Sequence, residues 1–139
     1  MKTTKRFENA LMKLYNAFHE NRLNAMDCQA CAVGNICNNS SIWRNYASFN
    51  TCDFTIEISK RDLPPSIRSF GYSKLEIANI EKIFIESCNF ESGTKEQQFK
   101  GLCEVVEYLA ELDNIPNPMD YTKLFETEND LPKYELILN

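Results

Sequence analysis

"TKEQQFKGLCEVVEYLAEL", residues Thr94–Leu112, decides what kind of fold this chain can have. Thr94 and Gln97 stand three apart, the spacing at which a threonine hydroxyl and a glutamine side chain satisfy each other's free backbone amides at a helix start. Phe99, Leu102, Cys103, Val106, Leu109 and Ala110 then recur at helical intervals and draw an apolar side along the segment. Upstream, "SKLE" repeats the device. Ser73 and Glu76 form a second box that opens a helix to about Cys88, with Leu75, Ile80, Ile83, Phe84 and Cys88 on its apolar side. A third stripe, Phe7, Leu11, Leu14, Tyr15 and Phe18, runs between Thr3 and Arg22.

The intervening segments are shorter and more polar. Asp27 is placed to cap a short helix over Cys28 to Ile36, and Ser40 to cap a turn that buries Trp43 and Tyr46. "TCDFTIEIS" alternates Cys52, Phe54, Ile56 and Ile58 with polar residues, the period of a strand. "RDLPPSIRSFGYS" reads as a connecting loop, because paired prolines and a glycine disfavour helix. Asn117 and Pro118 open a last short helix through Phe125, and the tail "YELILN" has the pattern of an edge strand. The expectation is an all-α, helix-dominated single domain over 1–139. It has three main helices, several short ones and a minor strand pairing of 52–58 with 133–138.

Composition agrees with that class. A chain of 139 residues, 43% apolar and 25% charged, is long enough to bury a core without disulfides, and 4 Gly and 5 Pro are few for a turn-rich β fold. The formal net charge of −5 argues against a general nucleic-acid surface, which needs clustered Lys and Arg. The charge is uneven. Lys2, Lys5, Arg6, Lys13 and Arg22 make the first helix basic while the carboxyl-terminal third is acidic, a distribution that suits docking to a protein partner. Glu8, Asn9, Lys13 and Asn16 interrupt the amino-terminal apolar run, so neither a signal peptide nor membrane insertion is expected. The expected compartment is cytoplasmic, where 6 cysteines are reduced, metal-bound or redox-active in preference to forming a disulfide framework.

Chemistry is concentrated in "DCQACAVGNIC". Cys28, Cys31 and Cys37 follow the chain's single histidine, His19, in a C-x2-C-x5-C spacing. Two residues between thiols let a turn aim both sulfurs at one ion, as zinc and iron–sulfur proteins do. Cys28 and Cys31 are therefore the core of a candidate metal set, completed by His19 and by Cys37 or Cys88. Cys37 stands six beyond Cys31 and joins them only if the chain breaks its helix near Gly34. The residues leave two other readings open. One is a dithiol/disulfide redox protein with Cys28 as attacking thiol and Cys31 as its partner. The other is a metal-free helical interaction module whose cysteines are simply buried. There is no G-x-G-x-x-G or G-x4-G-K-[ST] loop, so no flavin or nucleotide is expected.

Three stretches carry a resemblance: "KTTKRFENALMKLYNAFHENRLN", "CQACAVGNIC" and "GLCEVVEYLAELDNIPNPMDYTKLFE". Together they resemble a family of small bacterial proteins that share a name with the flavoprotein component of the sodium-translocating NADH–quinone reductase. The resemblance spans most of the chain and implies a recurrent bacterial protein with a redox label. It transfers no residue's role.

From the residues alone, the expected function is a zinc- or iron–sulfur-binding protein with an accessory redox or electron-transfer role. No catalytic residue is assigned.

Overall fold

A computed structural model of the chain describes residues 3–24, 31–39, 42–43, 47–50, 55–58, 63–87 and 94–125, at 47–50 and 55–58 for the backbone only. Helix α1 spans Lys5–His19 and α2 Ala32–Ile36; strands β1 (Ala47–Asn50) and β2 (Thr55–Ile58) follow. Then come α3 (Pro65–Arg68), α4 (Lys74–Ser87), α5 (Lys95–Leu112) and α6 (Met119–Thr122), which runs into a 3-10 turn over Lys123–Phe125. Helix dominates, as the periodicity requires.

The long helices begin where their caps dictate. Thr94 accepts from the Gln97 amide while the Gln97 side chain accepts from the Thr94 amide at 2.8 Å, a complete capping box. Ser73 and Glu76 do the same for α4, and Thr4 accepts from the Phe7 amide for α1. In α1 all five expected residues are buried, with Ala10 and Ala17 between them. The core continues through Ile77, Ile80, Phe84 and Ile85 of α4 and Leu102, Val105, Val106 and Leu109 of α5, and it closes over Tyr121 and Phe125. Gly101 lets α5 approach α4 closely: a Cβ there would meet Phe84 Cδ1 at 3.1 Å and Ser87 Cβ at 3.2 Å.

Several details differ from the sequence reading. "LPPSIR" is not all loop: Pro64 caps α3 and Pro65 takes its first turn, the one place where a missing amide and a fixed φ favour a helix. Leu75 is 71% exposed, and α4 instead buries Ile77 and Ile85, because packing against α5, α2 and β2 sets the buried side. On α5, Phe99 and Cys103 are only half-buried while Gln98, Gly101 and Val105 are inside. Strand β2 forms where "TCDFTIEIS" predicts one, and its described partner is β1, antiparallel with Phe49 opposite Ile56. The expected partner 133–138 lies outside the described residues, as do Asp27, Ser40, Tyr46 and Cys52. Trp43 is fully buried.

Arg6 and Lys13 of the amino-terminal helix turn their charge toward the rest of the fold. Arg6 Nε donates to Asp113 at 3.0 Å, Nη1 reaches the Gly71 carbonyl at 2.8 Å and Glu76 at 3.2 Å, and the guanidinium lies 4.6 Å over the Tyr72 ring. Gly71 is held at φ +96°, and a Cβ there would sit 3.0 Å from Arg6 Cβ, so glycine is required twice over. Lys13 is drawn to Asn38 and the Phe70 ring, and Arg22 to Glu20, Asn35 and Asn39. These contacts stitch α1 to the rest of the fold. No helix among the described residues is long and apolar enough to cross a membrane.

Candidate functional site

The cysteine segment enters the core as α2. Cys31 is its N-cap, with ψ −174°, and its Sγ accepts the Gly34 amide at 3.3 Å. That extended backbone ends the helix on its amino-terminal side at Ala32. The expected helix over Cys28 to Ile36, with both cysteines on one face, is therefore replaced by a shorter one that Cys31 itself caps. Gly34 and Asn35 do not break the helix. It closes after Cys37 through Asn38 and Asn39, both near φ +60°, with the Asn39 amide donating to the Gly34 carbonyl at 2.7 Å. Asparagine tolerates this left-handed geometry better than other non-glycine residues.

Cys31 and Cys37 thus cap opposite ends of one helix. Six residues of helical rise separate their backbones by roughly 9 Å, whereas two thiolates on one zinc ion lie within about 4 Å of each other. Both are buried, at 0% and 2% exposure. Burial, with the nearby Glu81 carboxyl, pushes the Cys37 thiol up to about 12, and Lys13 offsets this only partly. Cys37 is a packed thiol, not a poised one. His19 ends α1 with its ring against Tyr15 at 4.5 Å and Phe18 at 5.2 Å. Among the described residues no three His, Cys, Asp or Glu side chains form a group able to hold a metal ion. Cys28 and Cys88, the other expected ligands, lie outside the described residues.

What the fold does bring to Cys31 is a carboxyl from α4. Glu81 is completely buried. Its Oε1 accepts the Val33 amide at 2.9 Å. Its Oε2 has no hydrogen-bond partner. Burial raises this carboxyl to about 7, and the hydrogen bonds from Cys31 and Val33 lower it only in part. Most of that picture is hidden from the sequence. The signal that could have found Glu81 is a gap: Ile77, Ile80, Phe84 and Ile85 take the positions i, i+3, i+7 and i+8 of a buried face, and Glu81 occupies i+4.

A comparison with known proteins gives no second route to the site. No family model, curated protein or solved structure matches the chain.

Two surface grooves stand apart from it. One runs between α4 and α5 under Glu86, Lys100 and Glu104. The other, between α5 and α6, contains Cys103, whose thiol is raised by burial and by Glu104 against a hydrogen bond from Thr122. Neither reaches Cys31.

Proposed function

We propose that this protein is a dithiol/disulfide redox protein in which Cys28 and Cys31 form the couple. The supporting observation is the Cys31 thiol, buried as the cap of α2, the same short helix whose Val33 amide donates to the buried carboxyl of Glu81. A purely structural cysteine has no need of an ionisable neighbour. Placing a carboxyl out of water carries a desolvation penalty of several kcal/mol if it ionises, so a core with no chemistry to perform would favour an apolar residue at this position. Strongly shifted carboxyls in contact with a nucleophile are a mark of reactive sites. The C-x2-C spacing supplies the other half of the couple, because two intervening residues bring the sulfurs close enough to bond.

In this reading the reduced protein meets a disulfide on a partner protein. Cys28 attacks, giving a mixed disulfide and one partner thiol; Cys31 then displaces the second thiol and closes the Cys28–Cys31 bond. Two electrons and two protons pass from the protein dithiol to the partner disulfide. The buried member of the pair suits the second step, since it meets only a sulfur already tethered three residues away.

The test equilibrates the protein across glutathione redox buffers, alkylates the free thiols and maps them by mass spectrometry. Cys28 and Cys31 are expected to lose reactivity together and to appear as one cross-linked peptide. All 6 thiols alkylated at every potential would overturn the reading in favour of an interaction module with packed cysteines. Stoichiometric zinc or iron in protein purified without oxygen would overturn it in favour of a metal site built on Cys28 and Cys31 with His19, Cys37 or Cys88.

A further inference from the structure

We propose that the outer face of α5, with the groove on either side of it, docks a basic amphipathic helix of a partner protein. The inference goes beyond the dithiol reading and does not rest on it.

Both grooves follow from how α5 is flanked. It packs against α4 on one side and α6 on the other, and a channel follows each contact. The channel toward α6 has a volume of about 420 Å³ and is mainly apolar. Phe99 and Cys103, one turn apart on α5, form one wall, and Pro118 and Met119 form the other. Phe99 and Cys103 are half-buried, while Met119 is 74% exposed, so apolar side chains lead from the surface down into the channel. An unbranched thioether in that position adapts to whatever apolar group enters.

Charge states what else the occupant must carry. Glu104, Glu107 and Glu111 are all exposed and stand at intervals of three and four residues, so they form one row along α5 spanning roughly 10 Å. Glu107 lines both channels. Across the second channel, about 470 Å³ in volume, Glu86 of α4 adds another exposed carboxylate beside half-buried Ile83 and Tyr108. Ser87 donates to Glu104, which ties that carboxylate to the α4 wall. The lysines of the two linings are Lys100 and Lys123, and Lys123 is drawn to Asp120 at 3.8 Å. Negative charge therefore dominates the carboxyl-terminal half of the face. Like charges at helical intervals repel, and cations laid over them relieve that repulsion.

A helix is the occupant whose spacing matches. Lysines or arginines three and four residues apart on a helix lying along α5 repeat the interval of the glutamate row, and an adjoining apolar stripe reaches the α5–α6 channel. From Phe99 to Glu111 the face is roughly 18 Å long, room for about three turns. Nucleic acids and anionic membranes have the wrong sign for this surface.

The experiment titrates the full reduced chain with a synthetic peptide of about 14 residues, built from leucine, lysine and alanine so that leucines fill one helical face and lysines the adjoining one. Calorimetry reads affinity and backbone amide chemical shifts read location. The natural protein is expected to bind with a micromolar Kd that weakens at least roughly 10-fold between about 0.05 and about 0.5 M salt. The shifts are expected to centre on the outer face of α5 and on Met119. No binding, or shifts centred elsewhere in the chain, would overturn the proposal.

Two charge reversals then separate docking from attraction to net charge. Glu107→Lys changes the carboxylate common to both channels and is expected to weaken binding at least roughly 10-fold. Glu20→Lys makes the same change in net charge at an exposed carboxylate outside both linings and is expected to alter affinity less than about twofold. Equal losses in the two variants would overturn the docking surface. Met119→Asp is expected to weaken binding roughly 10-fold, and an unchanged affinity would overturn the amphipathic character of the partner. A peptide with glutamates in place of its lysines should not bind, and binding as tight as the original would overturn its basic character. Should Glu107→Lys not fold, the location of the shifts in the natural protein decides by itself.

Discussion

Two acidic side chains withdrawn from solvent sit in this fold under opposite regimes. Asp113, at the end of α5, meets Arg6 and the Thr4 hydroxyl; burial alone would raise it, and these partners hold it below the ordinary aspartate range. Glu81, mid-way along α4, meets a thiol and an amide, and burial carries it to about 7. Both lie at helix contacts. The difference is the cation: one carboxylate is a fastener kept ionised, the other a group kept ready to change its state.

The contrast predicts opposite pH dependences. Glu81 binds its proton in the folded protein up to about 7 but only to about 4.5 when unfolded, so between those values the folded state holds the extra proton and stability falls as pH rises. The loss across that window is about 3 kcal/mol, at about 1.4 kcal/mol per pH unit. Urea denaturation of the reduced protein at several pH values across that window should show it, and Glu81→Gln should abolish that slope. Asp113 works the other way: its contribution is present above the ordinary aspartate value and is lost as pH falls through its depressed one.

Removing the cation should cost somewhat less. Arg6→Ala takes the charged hydrogen bonds from Asp113 and Glu76 and uncovers the Gly71 carbonyl. A loss of about 2 kcal/mol is expected, the size of a hydrogen bond to a charged group left unmade. In the same variant, acid titration followed by chemical shift should find the Asp113 carboxyl moved upward. Thr94→Ala removes the cap that starts α5 and should cost about 1 kcal/mol in thermal or urea unfolding. Smallest of all is Leu75→Ser. The side chain is 71% exposed, and a change within about 0.5 kcal/mol is expected.

That ordering also marks how far the sequence can be read. The boxes at Thr94–Gln97 and Ser73–Glu76 are local chemistry, so both helix starts are legible. The strand over "TIEI" is legible too, because alternation is a property of the segment itself. Its partner is not. Pairing is chosen by what lies beside a strand in space, and the described neighbour is Ala47–Asn50. Leu75 shows the same limit: it is apolar and near a helix start, but the side of α4 that is buried is set by its neighbours and not by its own composition.

The site divides along the same line. Cys31 is legible because cysteines at short spacing advertise themselves. Glu81 is not, because a charged letter inside an apolar stripe reads as surface, and only tertiary packing shows that α2 covers it. Cys37 depends in the sequence on a break at Gly34, and the helix runs through that glycine.

Gly101 gives the site a mechanical setting that none of its own residues controls. It fixes how closely α4 rides on α5, against Phe84, and Phe84 lies one turn along α4 from Glu81. A single methyl group at that seam would act as a shim, displacing the carboxyl relative to the thiol without touching either. The placement of the Glu81 carboxyl is thus adjustable from the far side of the helix that carries it, by a position whose own chemistry is inert.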